Sequence, residues 1–278
     1  MHVLQYPTHA ACSAVVCAKL YGCVMWSNNL SYVFAAALAA LSSPAAADNL
    51  GFRFADITVG GVASDGDVQG QARLSTDFAI TDAHGLQLDL GVTGYDGAFL
   101  GQIDGHLYIM PTPAAKYGLF FSAADMDGRE ATIAFAGVEG MFALSERTEL
   151  HGRAGIGMAL PGDMEFITLS AGASHAVSSA VAIFGDVTIT EIDEAALRAV
   201  GTSARFGVSY QPDARPWEVT ASVVHDGLTG RDTAAFETRA EIGFIWHLGA
   251  DGGAKRSIAA RAFANIQPFD PFLRRGMF

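Results

Sequence analysis

From residue 51 onward, hydrophobic and polar residues alternate along the chain with a period of two. Leu86 and Leu88, for example, fall on one face of such a run, and Gln87 and Asp89 fall on the other. The same alternation recurs over 102–109, 181–190, 205–210 and 217–223. No helix-length amphipathic pattern with caps interrupts it. A period of two is typical of β-strands, so the pattern predicts an all-β protein.

Turn-forming stretches separate these runs at regular intervals, among them "SDGD" at 64–67, "YDG" at 95–97, "PGDM" at 161–164 and "QPDARP" at 211–216. Such clusters of Gly, Pro, Asp and Ser mark turns. They divide the chain into about twelve strands of roughly nine to fourteen residues, joined by short turns. Strands of soluble proteins have about five or six residues, whereas a tilted membrane-spanning strand needs about nine to eleven. Strand length therefore favours a membrane protein.

Two architectures are compatible with the alternation, a soluble exported barrel or sandwich and a transmembrane β-barrel. The polar face carries many charges, namely Arg73, Asp77, Asp89, Asp104, Glu149, Arg153, Asp186, Arg205, Arg239 and Glu241. Aromatic residues lie near predicted strand ends, namely Phe52, Phe54, Tyr117, Trp217 and Trp246. A dry soluble core does not hold so many charges, whereas a membrane barrel has a polar interior and aromatic girdles. The prediction is an antiparallel up-and-down transmembrane β-barrel over residues 48–249, closed so that every backbone group is paired.

The last predicted strand, "EIGFIWHLG" at 241–249, shows which face meets which environment. The residues that we expect to face lipid are Ile242, Phe244, Trp246 and Leu248. Glu241 and His247 fall on the opposite parity and are expected to face a hydrated interior.

This strand also resembles the closing-strand signal of small bacterial outer-membrane β-barrel proteins of the porin-like kind. A polar residue is followed by Gly243 and then by hydrophobic or aromatic residues at alternate positions. The resemblance covers about residues 50–249 and implies a barrel in the outer membrane of a Gram-negative bacterium. It also implies that the barrel-assembly machinery recognises Glu241–Leu248. The chain departs from the pattern because a further stretch follows this strand, and its terminal "LRRGMF" does not alternate.

The N-terminal part has the features of an export signal. The apolar run "YVFAAALAAL" precedes "SSPAAADN", in which Ala45 and Ala47 occupy the small-residue positions of a cleavage site. We expect a secretory signal peptide over residues 1–47, with translation starting at Met25 and residues 1–24 outside the true protein; a short buried helix is the alternative. The three cysteines, Cys12, Cys17 and Cys23, all precede the cleavage site, so the exported chain is expected to fold without disulfides.

The C-terminal tail, residues 250–278, is basic while the whole chain has a formal charge of −12. Its basic residues are Lys255, Arg256, Arg261, Arg274 and Arg275, against Asp251 and Asp270. Three interpretations are open. The simplest is a flexible periplasmic tail. The tail could instead enter the acidic lumen as a plug, since opposite charges attract strongly in a low-dielectric tube, or "SIAARAFANI" could add a strand.

The predicted function is a passive channel for small solutes or ions. A barrel of about twelve strands encloses more space than the filled eight-stranded barrels and less than open porins. No long loop is available to narrow it, so lumen side chains must define the pore. The predicted lumen and pore-lining residues are Arg73, Asp77, Asp89, Asp104, His106, Arg153, Asp186, Arg205, Arg239 and Glu241. The alternative is a non-conducting structural or adhesive barrel, in which paired charges fill the lumen.

Acidic residues concentrate in the turns that follow odd-numbered strands, which are extracellular if the N-terminus lies in the periplasm. They are Asp65, Asp67, Asp96, Asp125, Asp127, Glu130, Asp163, Glu165, Glu191, Asp193, Glu194, Asp226 and Asp232. They form either a solvated surface or a site for divalent cations shared with lipopolysaccharide. The expected partners are outer-membrane lipids and lipopolysaccharide, and a homo-oligomer is compatible with the sequence. Acidity argues against nucleic-acid binding.

Sequence motifs of enzymes are absent. There is no G-x-S-x-G elbow, no H-E-x-x-H and, after residue 47, no C-x-x-C. We therefore predict no enzyme, no cofactor and no metal. His106, His151 and His247 are expected to be hydrogen-bonded lumen residues. A lipid-modifying membrane enzyme is the less favoured alternative, and it would need a Ser–His–acid cluster near the membrane boundary.

Overall fold

A computed structural model describes residues 51–64, 67–194, 197–213, 215–230, 234–249, 257–265 and 267–277. The predicted signal peptide, residues 1–47, lies outside the described residues. No helix within the described ranges is long and apolar enough to cross a membrane.

The described residues form twelve antiparallel strands that close into a single barrel. The strands are β1 (Phe52–Ser64), β2 (Asp67–Ala79), β3 (His84–Tyr95), β4 (Ala98–Thr112), β5 (Ala115–Asp127), β6 (Ala131–Ala143), β7 (Thr148–Leu160), β8 (Met164–Ala176), β9 (Val181–Asp193), β10 (Arg198–Tyr210), β11 (Trp217–Gly230) and β12 (Ala234–Leu248). Each strand pairs with its neighbours in sequence, and β1 pairs with β12, from Ala55 opposite Leu248 to Ala63 opposite Ala240. The predicted fold class and strand number are confirmed.

The outer surface of the barrel is apolar. Every strand carries at least one exposed large hydrophobic side chain. The four residues predicted to face lipid are all exposed, at 62% for Ile242, 37% for Phe244, 43% for Trp246 and 41% for Leu248. Soluble monomers rarely expose contiguous apolar patches larger than a few hundred Å². A belt that surrounds the whole barrel therefore indicates a surface covered by lipid, and it argues against the soluble alternative.

The barrel has two chemically different rims. The acidic rim consists of the turns that follow odd-numbered strands, and the terminal rim consists of the other turns together with Gly51 and Gly249, where the barrel begins and ends. The turns are short at both rims; β3 and β4, for example, are joined by residues 96–97 alone. Short connections are typical of hairpins that continue a barrel without lids.

Two sequence-based placements are wrong. Asp226 was predicted in a turn of the acidic rim, but it lies inside β11, because this strand extends to Gly230. Its side chain is fully buried in the lumen, where it forms an ion pair with Arg239. Phe54, predicted in an aromatic girdle, is buried inside the barrel. A register irregularity between Phe52 and Phe54 shifts the parity at the start of β1, so that Phe54 turns inward.

The described part of the tail lies inside the barrel. It contains a short 3₁₀ turn at Ile258–Ala260 and one helix, α1, at Asp270–Leu273. Ile258, Phe263 and Phe272 are almost completely buried. The tail is therefore neither a free periplasmic segment nor an added strand over these residues. It occupies the lumen, which was one of the three interpretations of its sequence.

Candidate functional site

The lumen is the candidate functional site, and all ten predicted lumen residues belong to it. Six of them are buried, namely Asp77, Asp89, Asp104, His106, Arg153 and Arg239. The other four are partly exposed and line a cavity, namely Arg73, Asp186, Arg205 and Glu241. The structure does not bring all ten together. It distributes them among three charged groups at different heights of the barrel and a cavity whose wall includes members of the second and third groups.

The first group lies nearest the terminal rim and is centred on Asp77. The Tyr108 hydroxyl donates a hydrogen bond of 2.7 Å to Asp77, and Lys116 Nζ lies 3.2 Å from the same carboxylate. Tyr108 lies across Gly85, where a Cβ atom would come within 2.2 Å of the tyrosine ring. Arg53 donates to the Tyr108 hydroxyl at 2.6 Å. Burial of Lys116 is thus compensated by an anion and an aromatic ring, whose centroid is 4.0 Å away.

The second group lies in the middle of the barrel. Arg153 binds Glu139 through Nε at 3.1 Å and Nη2 at 2.6 Å, and Arg73 donates to Asp104 at 3.1 Å. His106 lies between two carboxylates, with Nδ1 2.6 Å from Glu139 and Nε2 3.4 Å from an Asp89 oxygen. This part of the wall is held by charge-assisted bonds.

The third group lies near the acidic rim and involves the tail. Arg239 binds Asp270 at 2.5 Å, and it also contacts Asp226. Tyr95 donates to Asp270 at 2.7 Å, and Arg274 Nε donates to it at 2.9 Å. Burial tends to raise the pKa of Asp270, but the charges of Arg239 and Arg274 and the hydrogen bond from Tyr95 hold this pKa below its usual value.

The tail crosses the lumen from the terminal rim toward the acidic rim. Its first half is held mainly by side chains of the barrel wall that reach the tail backbone. Lys116 donates to the carbonyl of Arg261 at 3.0 Å, and Arg153 donates to the carbonyl of Ala264 at 3.0 Å. The Phe263 N–H donates to Gln87 at 2.8 Å. These contacts fix the path of the tail without extending the β-sheet.

The second half of the tail fills the acidic-rim end with apolar side chains. Phe269 packs edge-on against Phe166, with ring centroids 4.5 Å apart. Phe272 occupies a space that Gly201 leaves open, since a Cβ atom at Gly201 would lie 2.5 Å from the phenylalanine ring. Arg129, in the β5–β6 turn, donates to the carbonyl of Leu273 at 2.9 Å. The lumen is therefore packed like a protein core at this end.

A polar cavity of about 350 Å³ remains beside the tail. It lies mainly against β1, β2 and β9–β12, and its wall includes hydroxyl groups of Ser203, Thr220 and Ser222. Arg205 and Glu241 form an ion pair in its wall, with Arg205 Nε 3.5 Å from a Glu241 oxygen. Asp186 also lines it and forms no ion pair with any described residue. Near the acidic rim, Asp270 and Arg274 of the tail form part of its boundary.

Several lumen residues were not predicted. Glu139 and Lys116 form buried ion pairs, yet their inward parity on β6 and β5 was readable from the alternation. Gln87 and Gln102 fell on the polar face of the alternation but, being uncharged, were not among the predicted pore-lining residues. Asp270 and Phe272 lie in a segment with no period, and only the basic charge of the tail suggested that it might contact an acidic lumen.

Comparison with known proteins yields no sequence relative. No protein-family model matches the chain, and no curated protein matches it. Solved structures match by shape. An outer-membrane channel from Pseudomonas putida F1 has 10% identity and a TM-score of 0.53, over 72% of this chain and 96% of that one. The fold is that of small outer-membrane β-barrels. The KdgM porin in complex with oligogalacturonate (10% identity, 69% and 98% coverage, TM-score 0.49) and the NanC porin (11%, 69% and 98%, 0.49) are further matches.

Proposed function

We propose that the protein is an outer-membrane channel for small polar solutes or ions, without enzymatic activity, whose pore is closed by its own C-terminal tail. The observation that carries the proposal is the polar cavity beside the tail, in a barrel whose outer belt suits lipid. The cavity wall carries Asp186, which forms no ion pair with a described residue, and Arg205, which lies 3.5 Å from Glu241, and these charges are available to contact an ion or a polar solute.

In this proposal, the arrangement with the tail packed inside the lumen is the closed state of the channel. Apolar packing of Phe269 and Phe272, together with the Arg239–Asp270 pair, blocks the acidic-rim end. Removal of the tail would join its volume to the cavity and leave a continuous path lined by polar side chains. The interior of a twelve-stranded barrel without a plug lies between filled and freely open sizes, so we expect a narrow pore.

The function is tested by planar-bilayer conductance of the protein purified from outer membranes in detergent. The intact chain is expected to be silent or to open rarely, whereas a variant that lacks residues 250–278 is expected to give stable single-channel steps. The full-length variant Phe272→Ala provides a second measurement, because it loosens the plug while keeping every strand, and it should raise the frequency of openings.

A second candidate, a non-conducting structural barrel, is favoured by one observation: buried ion pairs such as Lys116–Asp77 and Arg153–Glu139 fill much of the lumen. The same experiment separates the two. If both variants keep the heat-resistant mobility of a folded barrel and neither conducts, the channel proposal is wrong and the structural role stands.

A further inference from the structure

Three potential metal ligands converge in the middle of the lumen. Asp89 on β3 lies directly opposite Asp104 on β4, and His106 follows two residues later on the same face. One ligand atom from each of the three lies within 4.8 Å of the others. All three side chains are buried, with at most 2% of each residue exposed. Zinc binds nitrogen and oxygen ligands at about 2.0 to 2.2 Å. An ion at the centre of this triangle would reach those distances once the three ligand atoms moved closer to one another.

The orientation of His106 matches that of a metal ligand. Its Nδ1 lies 2.6 Å from Glu139 Oε1, which is the hydrogen bond that a ligating histidine commonly donates to a carboxylate. That bond leaves Nε2 with its lone pair directed toward the aspartates. Nε2 is buried and has no hydrogen-bond partner, although an Asp89 oxygen lies 3.4 Å away. A buried nitrogen without a partner is costly, and a cation at this point would satisfy it.

The charge balance also favours a cation. Like charges directly opposite each other on neighbouring strands destabilise a sheet, and Asp89 and Asp104 are such a pair. Arg73 forms its ion pair with Asp104, and Arg153 forms its ion pair with Glu139. Among the described residues, no arginine or lysine therefore forms an ion pair with Asp89, and only the His106 ring lies within ion-pair distance of it. A histidine that ligates a metal is neutral, so the metal ion would supply the missing positive charge.

Amide groups hold the two aspartates in place. Gln87 Nε2 donates to both oxygens of Asp89, at 3.0 and 3.1 Å. Gln102 Nε2 donates to both oxygens of Asp104, at 2.8 and 3.1 Å. Groups that orient the ligands from behind are a regular part of metal sites. We propose that Asp89, Asp104 and His106 bind one divalent transition-metal ion of the zinc class, with Glu139 as a positioning residue.

The donor set indicates the class of metal. One imidazole nitrogen and two carboxylates suit Zn²⁺ and its neighbours Mn²⁺ and Co²⁺, and the single nitrogen argues against a site built for softer copper. The inference departs from the sequence-based prediction of no metal, because the convergence depends on the β3–β4 register and on Glu139 from β6.

The tail covers the proposed site. Phe263 stacks on the His106 ring, with centroids 5.5 Å apart and planes 13° apart. The Phe263 N–H donates to Gln87, and Gln102 lies 3.4 Å from Asn265. Entry of a metal thus requires movement of the tail, and a bound metal would stabilise the residues on which the tail rests. Metal binding and closure of the lumen are then coupled reciprocally.

The test uses the purified protein, unfolded in urea and refolded with Co²⁺, which reports a protein site by its visible absorption. We expect one equivalent to bind and Zn²⁺ to displace it. Asp89→Asn and Asp104→Asn preserve side-chain shape and should each lower the affinity at least tenfold. Glu139→Gln should lower it about 10- to 100-fold, as loss of a carboxylate behind a ligating histidine does.

His247→Gln is the matched control. His247 is also a buried histidine with one carboxylate at each ring nitrogen, Asp56 at Nδ1 (2.6 Å) and Glu218 at Nε2 (3.3 Å). Among the described residues, however, only His106 has two carboxylates grouped with it closely enough to share a metal ion. This variant should bind Co²⁺ like the unmodified protein. Absence of binding by the refolded barrel, or binding that survives both aspartate substitutions, overturns the proposal. In the first case His106 is a protonated bridge between Asp89 and Glu139. Neither result depends on conductance, so the channel proposal is judged separately.

Discussion

The two walls of the lumen differ in what they face. The tail-packed wall, formed by β3–β7, carries large aromatic and charged side chains that contact the tail, such as His106, Lys116 and Arg153. The cavity wall, formed by the middle parts of β1, β2 and β9–β12, carries small hydroxylated residues such as Ser203 and Ser222. Both walls obey the same alternation, so inward parity alone does not determine whether a wall is dry or hydrated. The walls differ in what lies in front of their inward side chains, which is the tail at one wall and the cavity at the other.

The largest effect is expected from Lys116→Met on the tail-packed wall. Lys116 and Asp77 are both completely buried, and loss of Lys116 leaves Asp77 with the more distant Arg53, at 3.8 Å, and the Tyr108 hydroxyl. Removal of one partner of a buried ion pair costs about 3–5 kcal/mol, an upper value here because Arg53 remains. The free energy of unfolding in urea, followed by tryptophan fluorescence, measures it. The double variant Lys116→Met, Asp77→Asn should recover part of the loss. A single variant as stable as the parent would show that water reaches Asp77, and the contrast between the walls would be lost.

Phe272→Ala is expected to loosen the tail while leaving the strands intact. Phe272 is completely buried against the space at Gly201, and truncation of a buried phenylalanine costs about 3–5 kcal/mol, an upper value here because the tail can relax. Limited proteolysis from the terminal rim should remove the tail faster, while the barrel core resists. Equal protection of the tail in parent and variant would contradict the packing described for this end.

Asp270→Asn is expected to weaken the tail by about 1–3 kcal/mol, because Arg239 and Arg274 lose a charged partner. Since the folded-state pKa of Asp270 is depressed, its contribution is complete above the usual aspartate pKa of about 4 and is lost as pH falls below it. Protease release of the tail should therefore accelerate in acid for the parent and much less for the variant. The exposed Arg198–Asp193 pair at the same rim supplies the control, Arg198→Gln, which should change neither.

The smallest effect on stability is expected from Asp186→Asn on the cavity wall. Asp186 is partly exposed and forms no ion pair within the described ranges, so the free energy of unfolding should change by less than about 0.5 kcal/mol. In the variant that lacks residues 250–278, the same substitution should reduce the preference for cations, measured by reversal potential in a salt gradient. A strongly destabilised Asp186→Asn variant would show that this wall is also packed and dry.

The sequence was sufficient for the barrel and for the inward placement of charges. Alternation over 86–92 and 241–248 separates an apolar from a polar face, because a one-residue shift would turn every side chain to the other side. Strand length, the many charges on the polar face and the aromatic residues near strand ends then assign the apolar face to lipid. The role of the inward charged residues in lining a pore stays a prediction. The register that places Asp89 opposite Asp104 was not predictable, since it depends on turn geometry. The path of the tail depends on shape complementarity, such as Phe272 against Gly201, which leaves no periodic signal.

The tail is held by bonds that differ in kind from those of the barrel. In the contacts described above, at least one partner is a side chain, as when Lys116, Arg153 and Arg129 bind tail carbonyls. Each strand, by contrast, is joined to two neighbours by a backbone ladder. Under a pulling force or moderate denaturant the molecule should behave as two cooperative units of unequal strength. The tail would dissociate from the lumen first and could rebind, while the twelve-stranded barrel around it stays folded.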